Sequence, residues 1–217
     1  MAKHLPIASD CFTPEEELAN TIIHAIGVLF GLVAIPFLIM LAAKNSDISN
    51  LMRVGIYGAC FMATFVFSTL FHWFKEEKVK CKLEMCDRIS IYFFIAGTYT
   101  PFILYYMYDR TGFIMLGIMW ALVLFGIFFE IFLAKKYFII SLFIYLAMGW
   151  MFVFVLNKWF DSMPSSVITF ILTGVGLYSI GVIFYVWKKY RYHHAVWHFF
   201  VLVASIFHYL AVLETVS

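Results

Sequence analysis

Four of the chain's seven histidines crowd into one apolar stretch, Tyr192 to Leu213: His193, His194, His198 and His208. Imidazole at membrane depth is costly and usually functional. His194 and His198 stand four apart, so on a helix they share one face, about 40° apart. Two imidazoles on one helical face make half of a metal site. The zinc-protease helix H-E-x-x-H has the same spacing. Here Ala195, Val196 and Trp197 lie between the histidines, so any general base must come from elsewhere in the chain. His72 adds a third neutral nitrogen from a second apolar stretch. Three protein ligands and a water are the pattern of catalytic zinc (Zn2+), whereas structural zinc is usually closed by four ligands. Asp87 offers either a fourth ligand or a partner for the metal's water, where a carboxylate can act as general base. Ser68, one turn before His72, can hydrogen-bond behind the ligands or steady a substrate carbonyl.

Each residue also has a plainer use. A histidine in a membrane helix often serves as an interhelical hydrogen-bonding residue, which is the reading for His24. The histidines of the metal set would serve equally in a proton relay or a packing network. His193 is expected to face the interface. His208 lies about 15 Å beyond His198 along a helix, too far to share one ion, and reads as a packing or relay residue. Asp87 would also suit a helix cap or an ion pair with Arg88. Glu130 is expected to pair with Lys135 or Lys136. Pro101, in Gly97-Thr-Tyr-Thr-Pro101, would kink its helix by removing a backbone donor.

These residues must be carried by membrane helices. The 217-residue chain is 64% hydrophobic and 13% charged, far from the roughly 25% charge of a soluble domain. A span needs about 20 apolar residues, and seven such runs are present, near 21–43, 51–74, 87–108, 112–133, 138–156, 165–187 and 193–214. The separators are polar, among them Lys44-Asn-Ser-Asp47, the charged segment Lys75 to Glu84, and Lys188-Lys-Tyr-Arg191. Residues 1–20 read as a short cytoplasmic tail without a cleavable signal, and 21–217 as one seven-helix transmembrane domain. Thr13-Pro14-Glu15-Glu16-Glu17 has the form of a helix start. Cys11, Cys60, Cys81 and Cys86 form no C-x-x-C pair and are expected to be unpaired, with Cys81 and Cys86 in a cytosolic loop.

Charge placement orients the bundle. One side holds Lys3, Lys75, Lys78, Lys80, Lys82, Arg88, Lys135, Lys136, Lys188, Lys189 and Arg191, eleven of the fifteen basic residues. The N-terminus is therefore expected in the cytoplasm and the C-terminus outside. In that frame Glu17, Asn20 and His24 of the first helix, Ser68 and His72 of the second, Asp87 at the start of the third and His194 and His198 of the seventh share one leaflet. The basic clusters read as topology anchors, and nothing points to nucleic acid.

Ser68-Thr-Leu-Phe-His72, Asp87 followed by Ile95-Ala-Gly-Thr-Tyr-Thr-Pro101, His194-Ala-Val-Trp-His198, and Glu17-Leu-Ala-Asn20 with His24 together resemble the hemolysin III family, the bacterial branch of the progestin and adipoQ receptors. The resemblance spans nearly the whole chain. Many bacterial members have histidine where this chain has Arg88. The resemblance implies seven helices and a cytoplasmic-side zinc held by His72, His194 and His198, with Asp87 close to the zinc water and Glu17, Asn20 and His24 behind the ligands. It also implies a bacterial inner-membrane location and kinship with alkaline ceramidases. The reading that follows is a zinc hydrolase of a membrane lipid amide or ester. A non-enzymatic lipid sensor with structural zinc and a cytolytic protein are its alternatives.

Overall fold

The computed structural model describes residues 12–44 and 48–217, leaving out the side chains of 135, 136, 138 and 154–159. Seven helices follow one another: α1 (Pro14–Lys44), α2 (Ile48–Trp73), α3 (Glu77–Tyr106), α4 (Arg110–Phe132), α5 (Ala134–Trp159), α6 (Ser165–Val186) and α7 (His193–Val216). A single 3₁₀ turn, Phe160–Ser162, follows α5, and the described residues contain no strand. Cys11, Lys3 and separator residues 45–47 lie outside the described residues.

Local chemistry sets where α1 begins. The Glu16 N–H donates to the Thr13 hydroxyl at 3.3 Å, and the Thr13 N–H donates to Glu16 Oε2 at 2.9 Å. This reciprocal box satisfies two donors that a helix start leaves free, and Pro14 fills the first helical position, where its missing N–H costs nothing. The other Glu16 oxygen accepts from the Tyr192 N–H at 3.1 Å, tying the start of α1 to the start of α7. Tyr192 has φ of 62°, a left-handed conformation uncommon for a residue with a Cβ.

α1 starts at Pro14, as the Thr13-Pro14 signal predicts and ahead of its apolar run, whereas α3 starts at Glu77, well before the expected 87. Charge marks solvent, not a helix break, and Glu77-Lys-Val-Lys-Cys-Lys-Leu-Glu-Met contains good helix formers with no Gly or Pro. Asp87 therefore sits about 15 Å into α3 instead of capping it. Cys81 and Cys86, expected in a loop, are helical; with Cys60 they are free thiols.

Six helices, α1 to α4 with α6 and α7, are long and apolar enough to cross a bilayer. As far as its side chains are described, the apolar segment of α5 is Ile139–Val153, and a non-helical backbone at Tyr137 separates it from the helix start. The outer faces carry large apolar side chains, such as Leu29, Val33, Leu124 and Ile183, each more than half exposed. Such a surface suits lipid and not water.

α1 packs between α2 and α7, α3 touches α2, α4, α5 and α7, and α6 lies along α7. A Cβ on Gly27 would stand 2.0 Å from the Phe65 ring, so only glycine lets that ring rest against α1 beside His24. α3 continues through Pro101 to Tyr106. The Tyr99 hydroxyl accepts from the Phe152 N–H at 2.8 Å and faces the Met148 carbonyl at 2.9 Å, inserting itself into the backbone ladder of α5.

Arg88 does not serve as a topology anchor. It is buried, and its Nε donates to Glu130 Oε2 at 2.8 Å. Glu130 Oε1 accepts from Ser141 Oγ at 2.6 Å and from the Tyr145 hydroxyl at 3.1 Å. Glu130 thus pairs with an arginine from α3; the side chains of Lys135 and Lys136, the partners expected for it, lie outside those described. Removing one member of a buried pair leaves the other charge uncompensated, at a cost of about 3–5 kcal/mol. Glu130→Leu should lose that much stability in a denaturant titration of detergent-solubilised protein. Adding Arg88→Met to it should recover most of the loss; no recovery would show that the pair is not the source.

Candidate metal centre

His72 ends α2, and His194 and His198 occupy the first two turns of α7. Their nearest ring nitrogens all lie within 4.8 Å of one another. His72 Nε2 and His198 Nε2 are 3.0 Å apart, and the His194 and His198 ring centroids are separated by 4.3 Å. Two imidazoles on a tetrahedral zinc, with Zn–N near 2.0–2.1 Å, place their nitrogens about 3.3 Å apart. Asp87 is not in this set of donors; it lines the same cavity as Ser68, His194 and His198.

Residues of α1 hold the ligand rings from behind. His72 Nδ1 lies 2.6 Å from Glu17 Oε2. An ionised carboxylate accepts only, so the proton resides on Nδ1 and is donated to Glu17. This leaves the His72 Nε2 lone pair facing the cluster. The second Glu17 oxygen accepts from Lys80 Nζ at 2.6 Å. The Asn20 amide lies 3.4 Å from the same His72 nitrogen. His24 Nε2 lies 2.6 Å from His198 Nδ1. If His198 Nδ1–H donates to His24, the His198 Nε2 lone pair also faces inward.

Two inward lone pairs 3.0 Å apart repel unless a cation or a proton lies between them. Three neutral nitrogen donors at this spacing fit a nitrogen-seeking metal ion.

The structure departs from the sequence at several positions. His193 is buried, with Nδ1 3.3 Å from the Phe184 carbonyl, instead of facing the interface. His208, by contrast, stands outside the donor set as its spacing predicts, with Nε2 3.3 Å from the Ile171 carbonyl. Phe12, Lys80 and Glu84 are neighbours that motif reading did not find. Phe12 covers the cluster, its ring 4.7 Å from His194 and 6.1 Å from His72. Its place just before the capping Thr13 is where an apolar residue packs on the fourth helical position. That position is Glu17 here, so Phe12 settles on imidazoles.

A helical bundle with an apolar outer surface and a buried three-histidine cluster defines a multi-pass membrane protein with a potential metal site. The profile of a family described as haemolysin-III related matches residues 12–209. Hemolysin-3 homolog of Bacillus subtilis (strain 168) is 41% identical over 202 residues, 93% of this chain and 95% of that protein. Hemolysin-3 of Bacillus cereus is 35% identical over 199 residues, 92% of this chain and 91% of that one. Monocyte to macrophage differentiation factor of Homo sapiens is 30% identical over 212 residues, 91% of this chain and 83% of its own. The chain belongs to the haemolysin-III-related family.

A carboxylate behind a ligating histidine typically changes metal affinity 10- to 100-fold. Glu17→Gln should weaken zinc binding by about that factor in a competition titration against a chelating dye. His194→Ala and His198→Ala should remove zinc from the purified protein without unfolding it. Unchanged affinity in Glu17→Gln would refute the supporting role of that carboxylate.

Proposed function

We propose that this protein is a zinc-dependent hydrolase of a membrane lipid amide or ester. The observation that carries the reading is a cavity of about 200 Å³ joining the histidine cluster, Ser68 and Asp87 to a long apolar wall. Phe94, Ile95, Leu142, Leu146 and Val201 are among that wall's residues. Such a cavity suits a lipid whose polar head rests at the histidines and whose chain lies between the helices.

His72, His194 and His198 would hold the ion, with Glu17 and His24 fixing two of the rings. Zinc bound there supplies Lewis acidity and lowers the pKa of a water toward about 7. Asp87, outside the donor set but on the same cavity wall, is placed to take a proton from the attacking water and return it to the leaving group. Ser68 has a buried hydroxyl beside Asp87 on the same cavity wall, from which it would steady the substrate carbonyl. The apolar walls exclude bulk water and strengthen every polar contact made inside.

The same reading takes all seven helices as spans, with the N-terminus in the cytoplasm and the C-terminus outside the bacterial inner membrane. The asymmetry of lysine and arginine supports this orientation even with Arg88 withdrawn to the interior. It places the cluster near the cytoplasmic surface. The organisation into a short tail, 1–20, and one membrane domain, 21–217, belongs to this proposal too.

The Bacillus relatives' names suggest a second reading, membrane lysis. The two are separable. Zinc-loaded protein given ceramides, acyl esters and phospholipids should release fatty acid, detected by mass spectrometry. Asp87→Asn should keep its zinc and lose turnover by about 10²- to 10⁴-fold, the usual share of one proton-transfer group. No acyl product from any lipid would sink the hydrolase. Lipid-dependent conformational change without turnover would then indicate a sensor, and leakage of dye-loaded liposomes, undiminished by Asp87→Asn, a lysin.

A further inference from the structure

The far end of the cavity is not apolar. Thr98 of α3 and His208 of α7 both line it, and the fold gives each an unusual setting. A threonine inside a helix commonly donates its hydroxyl to the carbonyl four residues earlier. Thr21, Thr64, Thr69, Thr100, Thr169 and Thr215 all do so here, at 2.7–3.1 Å. Thr98 does not: its Oγ1 is buried with no hydrogen-bond partner, although the residue is only 6% exposed. An unmet hydroxyl in an apolar interior costs about 1–3 kcal/mol.

His208 is held in place. Its Nε2–H donates to the Ile171 carbonyl at 3.3 Å, which leaves Nδ1 as an acceptor. α6 yields space for the ring at Gly174, where a Cβ would stand 2.4 Å from His208 Nε2. α3 and α7 are in contact, and both residues line one cavity. Thr98 lies eleven residues after Asp87, and His208 ten after His198, so each is about 15–17 Å further along its helix. That is about half of a bilayer's roughly 30 Å hydrocarbon core.

We propose that Thr98 and His208 form a hydrogen-bonding station, about 15 Å from the histidine cluster, that recognises a hydroxyl on the chain of a bound lipid. This rests on the reading of the cavity as a lipid site. A chain hydroxyl donates to His208 Nδ1 and accepts from the Thr98 hydroxyl, so both groups are met at once. A plain chain leaves both unmet. The station thus selects hydroxylated acyl chains over unsubstituted ones of the same length.

The test is binding, independent of turnover. Stearic acid, and stearic acid hydroxylated about two thirds of the way along its chain, are titrated against the full chain in lipid nanodiscs and read by native mass spectrometry. The hydroxylated acid should bind roughly tenfold more tightly, the worth of one to two buried hydrogen bonds. Thr98→Val, which keeps the shape, should erase that preference and leave stearic acid binding unchanged; His208→Leu should do the same. Equal binding of the two acids, or a preference that survives Thr98→Val, overturns the station while the lipid cavity stands. Binding of neither acid overturns the station and the cavity reading together.

Discussion

The Glu17 carboxylate is the interaction on which the rest of the site depends. One oxygen accepts from His72 of α2 and the other from Lys80 of α3, while its own backbone belongs to the first turn of α1. Three helices are joined through one side chain. The Thr13–Glu16 capping box fixes where that turn begins, and Glu16 carries the connection on to Tyr192 and the start of α7. In a low-dielectric interior such charge-assisted bonds are stronger than at a wet surface, and each is harder to lose without penalty. Glu17 also sets the His72 tautomer, and with it turns the Nε2 lone pair toward His198. A local decision about a helix start thus becomes a chemical property of the cluster.

A second constraint is charge. The pairs here are specific: Glu130 with Arg88 in the interior, and the half-buried Glu17 with Lys80. Arg88 and Glu130 brace α3 against α4, and through Ser141 and Tyr145 against α5. That bracing surrounds the position of Asp87 on α3. Arg88 therefore acts on the site through packing, which its place next to Asp87 in sequence does not reveal.

The apolar runs made most of the helical plan legible, because about twenty residues without charge have few fates other than a span. Their polar ends were less so. Glu77 to Glu84 is charged and helical at once, and periodicity cannot separate a polar loop from a helix that continues past its apolar run. In α5 the non-helical backbone at Tyr137 interrupts the start, which an apolar run does not reveal. Within the site, His194 and His198 followed from a local spacing, and the structure brings His72, Glu17, Asn20 and His24 to them. Partners chosen by tertiary packing were out of reach: Arg88 for Glu130, Phe184 for His193, Phe12 for His194. No spacing rule links residues 42 or 182 positions apart.

What distinguishes a working interior from an inert one is the polar group left without a partner. Helices in a membrane satisfy their own backbones, and their hydroxyls usually turn back to a carbonyl of the previous turn. Six threonines and two serines of this bundle, Ser179 and Ser205, do that and add nothing to the cavity's chemistry. Ser68 and Thr98 depart from the pattern, and both line the cavity that His194 and His198 also line. Ser68 stands one turn from His72, and Thr98 shares the cavity with His208. A hydroxyl that gives up the turn back to its own helix costs stability, and packing gives no return for it. A bound molecule with oxygen or nitrogen at both depths would supply that return, so the cost is best understood as one carried for a ligand.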